Sequence, residues 1–253
     1  MLISKPDGHY HFLRGIDPYS CGVVADPGWQ IVHATLDRPL PWRDGFNRVE
    51  QHLQDMGRDR QALCAVELRC PAPFTMDGFI AFNQDYCKVI RSWDLYVDDL
   101  NPIARTNVAP AHDPPDESVL HAFSYTAAAP PAAVKTLVLA GAGELREGVL
   151  SAQGIIRAGD SNEAAMREKV GYVMGVMADR LLGLGGSWSL VNAVNVYTVH
   201  AVVGLCKDLL LSRMGPAARH GVRWHDTRPP VIDIEFEMDM RAVRSDLWLS
   251  PDS

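Results

Sequence analysis

Two carboxylates near the C-terminus, Glu235 and Glu237, alternate with Ile234, Phe236 and Met238. A period of two puts both acids on one face of a strand. A carboxylate there could move protons to and from a reacting group, and the same alternation also suits a strand whose polar face is simply solvated. Histidines offer a second kind of chemistry. His9-Tyr10-His11 would carry two imidazoles on one side of a strand, and Trp224-His225-Asp226 could pair an imidazole with a carboxylate. Neither has a third ligand at defined spacing, and zinc takes three or four protein ligands, so no metal is expected. The five cysteines, Cys21, Cys64, Cys70, Cys87 and Cys206, are never spaced as CxxC. Reduced and mostly buried thiols are expected, with neither a disulfide framework nor a zinc cage. The GLGG and AGAG stretches continue neither to GKS or GKT nor to GxGxxG after a strand. They read as a helix end and a strand crossing, not as phosphate loops.

Composition narrows the class of protein that must position these groups. The net charge of -7 comes without a Lys/Arg cluster interleaved with aromatics, which argues against nucleic acid as a partner; an anionic ligand would need locally placed arginines. With 47% hydrophobic and 22% charged residues the chain reads as globular. No stretch approaches the roughly 18 consecutive apolar residues of a membrane span, and the N-terminal MLISKPDGHYHFLRG lacks a secretory layout. A cytoplasmic protein with no membrane partner is expected.

An internal repeat supplies the elements. In the first half Phe46, Val49, Leu53 and Met56 fall at helical spacing and ALCAVELR follows as a strand; in the second, Met166, Val170, Val173, Met177 and Leu181 do so and LVNAVNVYTV follows. Gly57 precedes Ala65-Val66 by eight and nine residues, and Gly185 precedes Ala193-Val194 by eight and nine. Each glycine sits where a helix C-cap needs a left-handed residue. The order continues with helical FTMDGFIAFNQDYCKVIRSW and VVGLCKDLLLSRM, then strand candidates IARTNVAP and SVLHAFSYTA in one half, AARHGVRW and VIDIEFEM in the other. AAAPPAAV between them reads as a linker. The expected organisation is α+β, two tandem β-β-α-β-α-β-β units over residues 1–128 and 135–253 joined by 129–134, each a mixed sheet with two helices on one face. The opposite face must pack against further sheets, either from the sister unit or from other chains, and a homo-oligomer is expected.

These residues resemble the RidA (YjgF) family of enamine/imine deaminases, whose chorismate-mutase-like units assemble as trimers with sites between neighbouring sheets. DPYSCGVV resembles the family's opening GPYxxGV, matching Tyr19; FNQDY resembles its xNxxY helix, matching Asn83; PIARTNV resembles PARxxV, placing Arg105 at the carboxylate-binding arginine. In the second half GPAARHGV again matches PARxxV at Arg219, and IEFEMD resembles the final IEIEA strand, placing Glu235 at the residue that orients the attacking water and Glu237 at the next outward position. The departures are informative: the second half has no matching Tyr or Asn, the first has Leu120-His121-Ala122 in place of the acidic strand, and the spacing from Asn83 to Arg105 is longer than the family's. Neither half holds a whole site, so the resemblance implies a composite one.

Within the family the resemblance is nearest to the tandem members that deaminate 2-aminomuconate. It implies a hydrolytic deaminase for a small enamine or imine carboxylate in aromatic degradation, with no cofactor, assembled in a multiple of three chains. Arg105 and Arg219 would hold a carboxylate in their planar fork, and Glu235 would serve first as base toward water and then as acid toward the leaving amine. A muconate has two carboxylates, so a second arginine, from Arg105, Arg219, Arg223 or Arg228, could hold the other one; His33 or His121 could shuttle protons. A chorismate-cleaving enzyme on the same scaffold and a non-catalytic metabolite-binding or chaperone-like module are the alternatives.

Overall fold

Apolar residues at helical spacing and β-branched runs divide the chain into two sheets and three long helices. The computed structural model describes residues 1–130, 132–146, 149 and 151–250; Pro131 of the expected linker lies outside them. Helix α1 (Trp42–Asp55) buries Trp42, Phe46, Val49 and Leu53, while Met56 falls just past its end and is exposed. Helix α2 (Met76–Ser92) starts at Thr75, whose hydroxyl accepts from the Gly78 amide, and α3 (Glu163–Gly183) starts at Asn162, whose side chain accepts from Ala165. Gly57 and Gly185 take φ of 67° and 64°. In each case the next amide reaches back into the last turn, Arg58 N to Leu53 O and Gly186 N to Leu181 O, the helix ending that a left-handed residue allows.

The first sheet contains β1 (Leu2–Lys5), β2 (Tyr10–Leu13), β3 (Gly22–Ala25), β8 (Leu137–Gly143), β9 (Ala193–Tyr197), β10 (Arg223–His225) and β12 (Glu237–Ala242), in the order β1-β2-β3-β8-β12-β9-β10. The second contains β4 (Trp29–Pro41), β5 (Leu63–Arg69), β6 (Ala104–Pro110), β7 (Val119–Ala128), β11 (Thr227–Arg228) and β13 (Ser245–Leu249), in the order β11-β6-β5-β7-β4-β13. A common frame runs through both. In β4-β7-β5-β6 and in β8-β12-β9-β10 the first two pairings are antiparallel and the last is parallel.

The sequence boundary near residue 130 does not separate the sheets. Four strands, not two, precede α1, and the first three leave for the other sheet: Val23 pairs with Val138 across β3 and β8. In return β13, from the C-terminus, runs parallel to β4, with Ser245 opposite Val32. Burial explains the exchange. Tyr10, Phe12 and Val23 of the first sheet pack with Ile31, Cys64, Ala65 and Ala104 of the second, together with Val138 and Ala140, as one core between the sheets. Outside this lie a core between the first sheet and α3 and another between the second sheet, α1 and α2.

Two expected elements are different. The apolar VVGLCKDLLLSRM forms a short helical turn, α4 (Val203–Leu205), that runs into a π-helical segment, Cys206–Leu211. The strand expected over VIDIEFEM starts only at Glu237, because Asp233 is left-handed (φ 71°) and Ile234 closes a turn onto Val231. No helix among the described residues is long and apolar enough to cross a membrane.

Because each half donates strands to the other's sheet, neither half should fold alone. Residues 1–128 and 135–253 expressed separately are expected to show no cooperative unfolding by circular dichroism, against a single transition for the full chain. A cooperative transition in either isolated half would overturn this reading.

Candidate active site

A cavity of about 260 Å³ lies where the sheets meet, and both halves build it. The β2–β3 connection brings Arg14 and Tyr19, α2 brings Phe79, and β6 brings Arg105 and Asn107. From the other half come Gly141, Ala142 and Gly143 of β8, Arg180 of α3, Ile234, and Glu237 at the start of β12.

Arg105 is 3% exposed and sits in an aromatic cage: its guanidinium carbon is 4.7 Å from the ring centres of Tyr19 and Tyr86, and 5.7 and 5.8 Å from those of Phe79 and Phe82. Ring faces stabilise a desolvated cation. Nη2 donates to Asn83 Oδ1 at 2.6 Å, while Nη1 is buried without a hydrogen-bond partner among the described residues. Held on one side and open on the other, the guanidinium can take up a carboxylate.

Glu237 is 5% exposed, and its carboxylate fills the space that a Cβ at Gly141 would occupy. Burial, reinforced by the negative charges of Asp239 and Glu144, pushes its pKa up to about 8 against the opposing pull of Arg105 and Arg180. At neutral pH Glu237 is therefore a carboxylic acid, able to give a proton.

A fully buried ion pair fixes its position. Lys169 of α3 and Glu144, both 0% exposed, meet at 2.9 Å. Glu144 also accepts from the backbone amides of Glu235 and Phe236, at 2.6 and 3.0 Å. The carboxylate thus takes the amides that precede β12 and delivers Glu237 to the cavity as the first residue of the strand.

The structure brings together Tyr19, Arg105 and Glu237 around the cavity, with Asn83 behind Arg105. It does not bring Glu235, Arg219 or Arg228 there. Glu235 precedes the strand, and its Oε2 is 2.7 Å from His200 Nε2. Arg219 is exposed in a 3-10 turn (Gly215–His220), its Nε donating to the neighbouring His220 ring. Arg228 is exposed on β11, opposite Ala109. Of the two acids it is Glu237, expected to bind substrate while Glu235 did the chemistry, that lines the cavity.

His33 and His121 lie near Glu67 and Arg241, away from the cavity lining. Burial pushes both imidazoles down to about 3 and so keeps them neutral. His11 pairs with Asp26, His225 stacks on Tyr197, and the described residues contain no cluster of three potential metal ligands. Sequence reading missed Arg14, Arg146, Arg180 and Asn107. Asn107 carried a signal, standing two residues beyond Arg105 and so on the same face of its strand; the rim arginines come from a connection, a strand end and a helix that only the fold assembles.

Known proteins resemble this chain over nearly its whole length. Residues 2–247 match the model of the family described as 2-aminomuconate deaminase CnbZ. A 2-amino-5-chloromuconate deaminase of Comamonas testosteroni is 40% identical over 246 residues, 96% of this chain and 97% of the relative. Among solved structures, a chorismatase crystal structure at 1.08 Å resolution aligns with a TM-score of 0.48 at 13% identity, covering 88% of this chain and 77% of the chorismatase.

The Lys169–Glu144 pair gives a direct stability test. Lys169→Met leaves a buried carboxylate without its cation and is expected to cost about 3–5 kcal/mol in urea unfolding. Adding Glu144→Gln should recover part of that loss, and a single variant as stable as the wild type would show that the pair does not hold this region together.

Proposed function

This chain belongs to the 2-aminomuconate deaminase family, and on that premise we propose that it hydrolytically deaminates a 2-amino-2-enoate dicarboxylate of the 2-aminomuconate type during aromatic breakdown. The observation that carries the reading is one cavity lined by both Arg105, with an unpaired guanidinium nitrogen, and Glu237, a carboxyl protonated at neutral pH. Arg105 holds the carboxylate next to the amino-bearing carbon. Arg14, Arg146 and Arg180, which also line the cavity, supply positive potential for the second carboxylate, although the whole chain is acidic.

Glu237 then carries the protons. Its carboxyl protonates the enamine carbon, so that C2 and nitrogen become an iminium. The carboxylate left behind takes a proton from water as the water oxygen bonds to C2. It passes that proton to nitrogen and takes the hydroxyl proton as the C–N bond breaks. Ammonia leaves, a 2-oxo acid remains, and Glu237 ends protonated as it began.

We also read the two frames as diverged RidA-like units. Their shared strand order and sense, and the matched glycine-to-strand spacing, support this. The units divide at residues 129–134 in sequence, and each lends strands to the other. Assembly in a multiple of three chains stays part of the proposal, and light scattering would measure it.

Ammonia release from freshly generated 2-aminomuconate tests the chemistry. Glu237→Gln should lose about 10²–10⁴-fold in kcat, Arg105→Ala should lose strongly in kcat/KM, and Glu235→Gln should stay near wild type. Loss in Glu235→Gln with retention in Glu237→Gln would return the role to the residue by His200. Because the active form of Glu237 is protonated and its pKa is raised to about 8, wild-type kcat/KM should be level below that pH and fall as pH rises through it. Glu237→Gln should lose this alkaline limb.

A further inference from the structure

Asn107 is 3% exposed, lines the cavity with Arg105 and Glu237, and leaves both amide atoms, Oδ1 and Nδ2, without a hydrogen-bond partner among the described residues. Buried amides are almost always satisfied, because an unpaired one forfeits its hydration. An orphaned amide facing a cavity therefore marks a place where a ligand supplies the missing partner. The position constrains which part of the ligand. Arg105 and Asn107 leave the same face of β6, two residues apart, so a ligand whose carboxylate pairs with Arg105 Nη1 presents its adjacent carbon, C2, toward Asn107 and Glu237.

We propose that Asn107 is the specificity-determining residue that reads the substituent on C2, an inference that rests on the deaminase reading of this cavity. Its Oδ1 accepts a hydrogen bond from the substrate amino group. Once water has replaced nitrogen by oxygen, the amide turns over and Nδ2 donates to that oxygen. An amide serves both states because it carries an acceptor and a donor on one planar group. An aspartate could only accept, and an apolar side chain could do neither.

Binding of two unreactive dicarboxylates separates this contact from the rest of the site. cis,cis-Muconate has hydrogen on C2 and 2-hydroxymuconate has oxygen there; their affinities are measured by calorimetry for the wild type, Asn107→Leu, Asn107→Ala and Arg105→Ala. The wild type should favour 2-hydroxymuconate by about tenfold, the size of one good hydrogen bond. Both Asn107 variants should bind the two compounds equally, at close to the wild-type affinity for muconate, whereas Arg105→Ala should weaken both and keep the preference. Without ligand, Asn107→Leu should melt above the wild type, since it removes an unsatisfied buried amide; a residue serving only the fold would melt lower when replaced. A preference retained in the Asn107 variants, or a lowered melting temperature in Asn107→Leu, would overturn the assignment of Asn107 alone. Failure of the wild type to bind either compound would overturn the dicarboxylate site itself, and the role of Asn107 with it.

Discussion

A lysine and a glutamate removed entirely from water, Lys169 and Glu144, set the terms for the rest of the molecule. Desolvating two charges costs more than their mutual attraction returns unless further hydrogen bonds complete the arrangement, and here two backbone amides do so. The pair ties helix α3, the end of β8 and the approach to β12 into one rigid corner. That corner decides which acid enters the cavity. It also shapes the acid's chemistry, because the negative charge of Glu144 is among the causes that keep Glu237 protonated. A structural ion pair and a buried carboxyl of the cavity are in this way parts of one electrostatic unit.

The second requirement is that the halves meet. Arg105 stands on the second sheet and Glu237 on the first, so the cavity exists only because the sheets pack face to face over Tyr10, Phe12, Val23 and Ile31. Polar contacts fix the register of that packing. Thr106 donates to Asp239 across the sheets and accepts from the Gly141 amide, and Glu67 pairs with Arg241. Asp239 also receives Asn195 and Tyr197. Asp239 is thus met by partners from both sheets, while Arg105 Nη1 and the Asn107 amide are buried without a hydrogen-bond partner among the described residues.

Much of this was legible in the residues. The helix faces, the two left-handed glycines, the strands around Ala65 and Ala193, and the grouping of Tyr19, Asn83 and Arg105 follow from periodicity and motif. What failed was register. Glu235 and Glu237 share a strand face on paper, and only the turn at Asp233 with the Glu144 carboxylate beyond it shows that the strand begins between them. Arg219 matched a motif, yet the motif lies in a 3-10 turn, and β10 begins later, at Arg223 opposite Asn195. By pairing, Arg105 stands beside Val66 on β5, whereas Arg219 precedes β10 altogether and pairs with no residue of β9. The exchange of β1–β3 and β13 was not legible either, because strand pairing between distant segments leaves no local mark on composition or period.

The matched frames carry a consequence for stoichiometry. Glu237 pairs with Tyr197, four residues beyond Ala193; Arg69, four beyond Ala65, pairs with Val119. The place that mirrors Glu237 thus holds a valine, and two residues before Arg69 the carboxylate of Glu67 is met by Arg241 and by the neutral imidazole of His33. Strands of matching order and sense thus carry different side chains at matched places, a buried carboxyl in one frame and an aliphatic group in the other. On the function proposed above, titration with a tight ligand would saturate at one equivalent per polypeptide, whatever the number of polypeptides in the assembly.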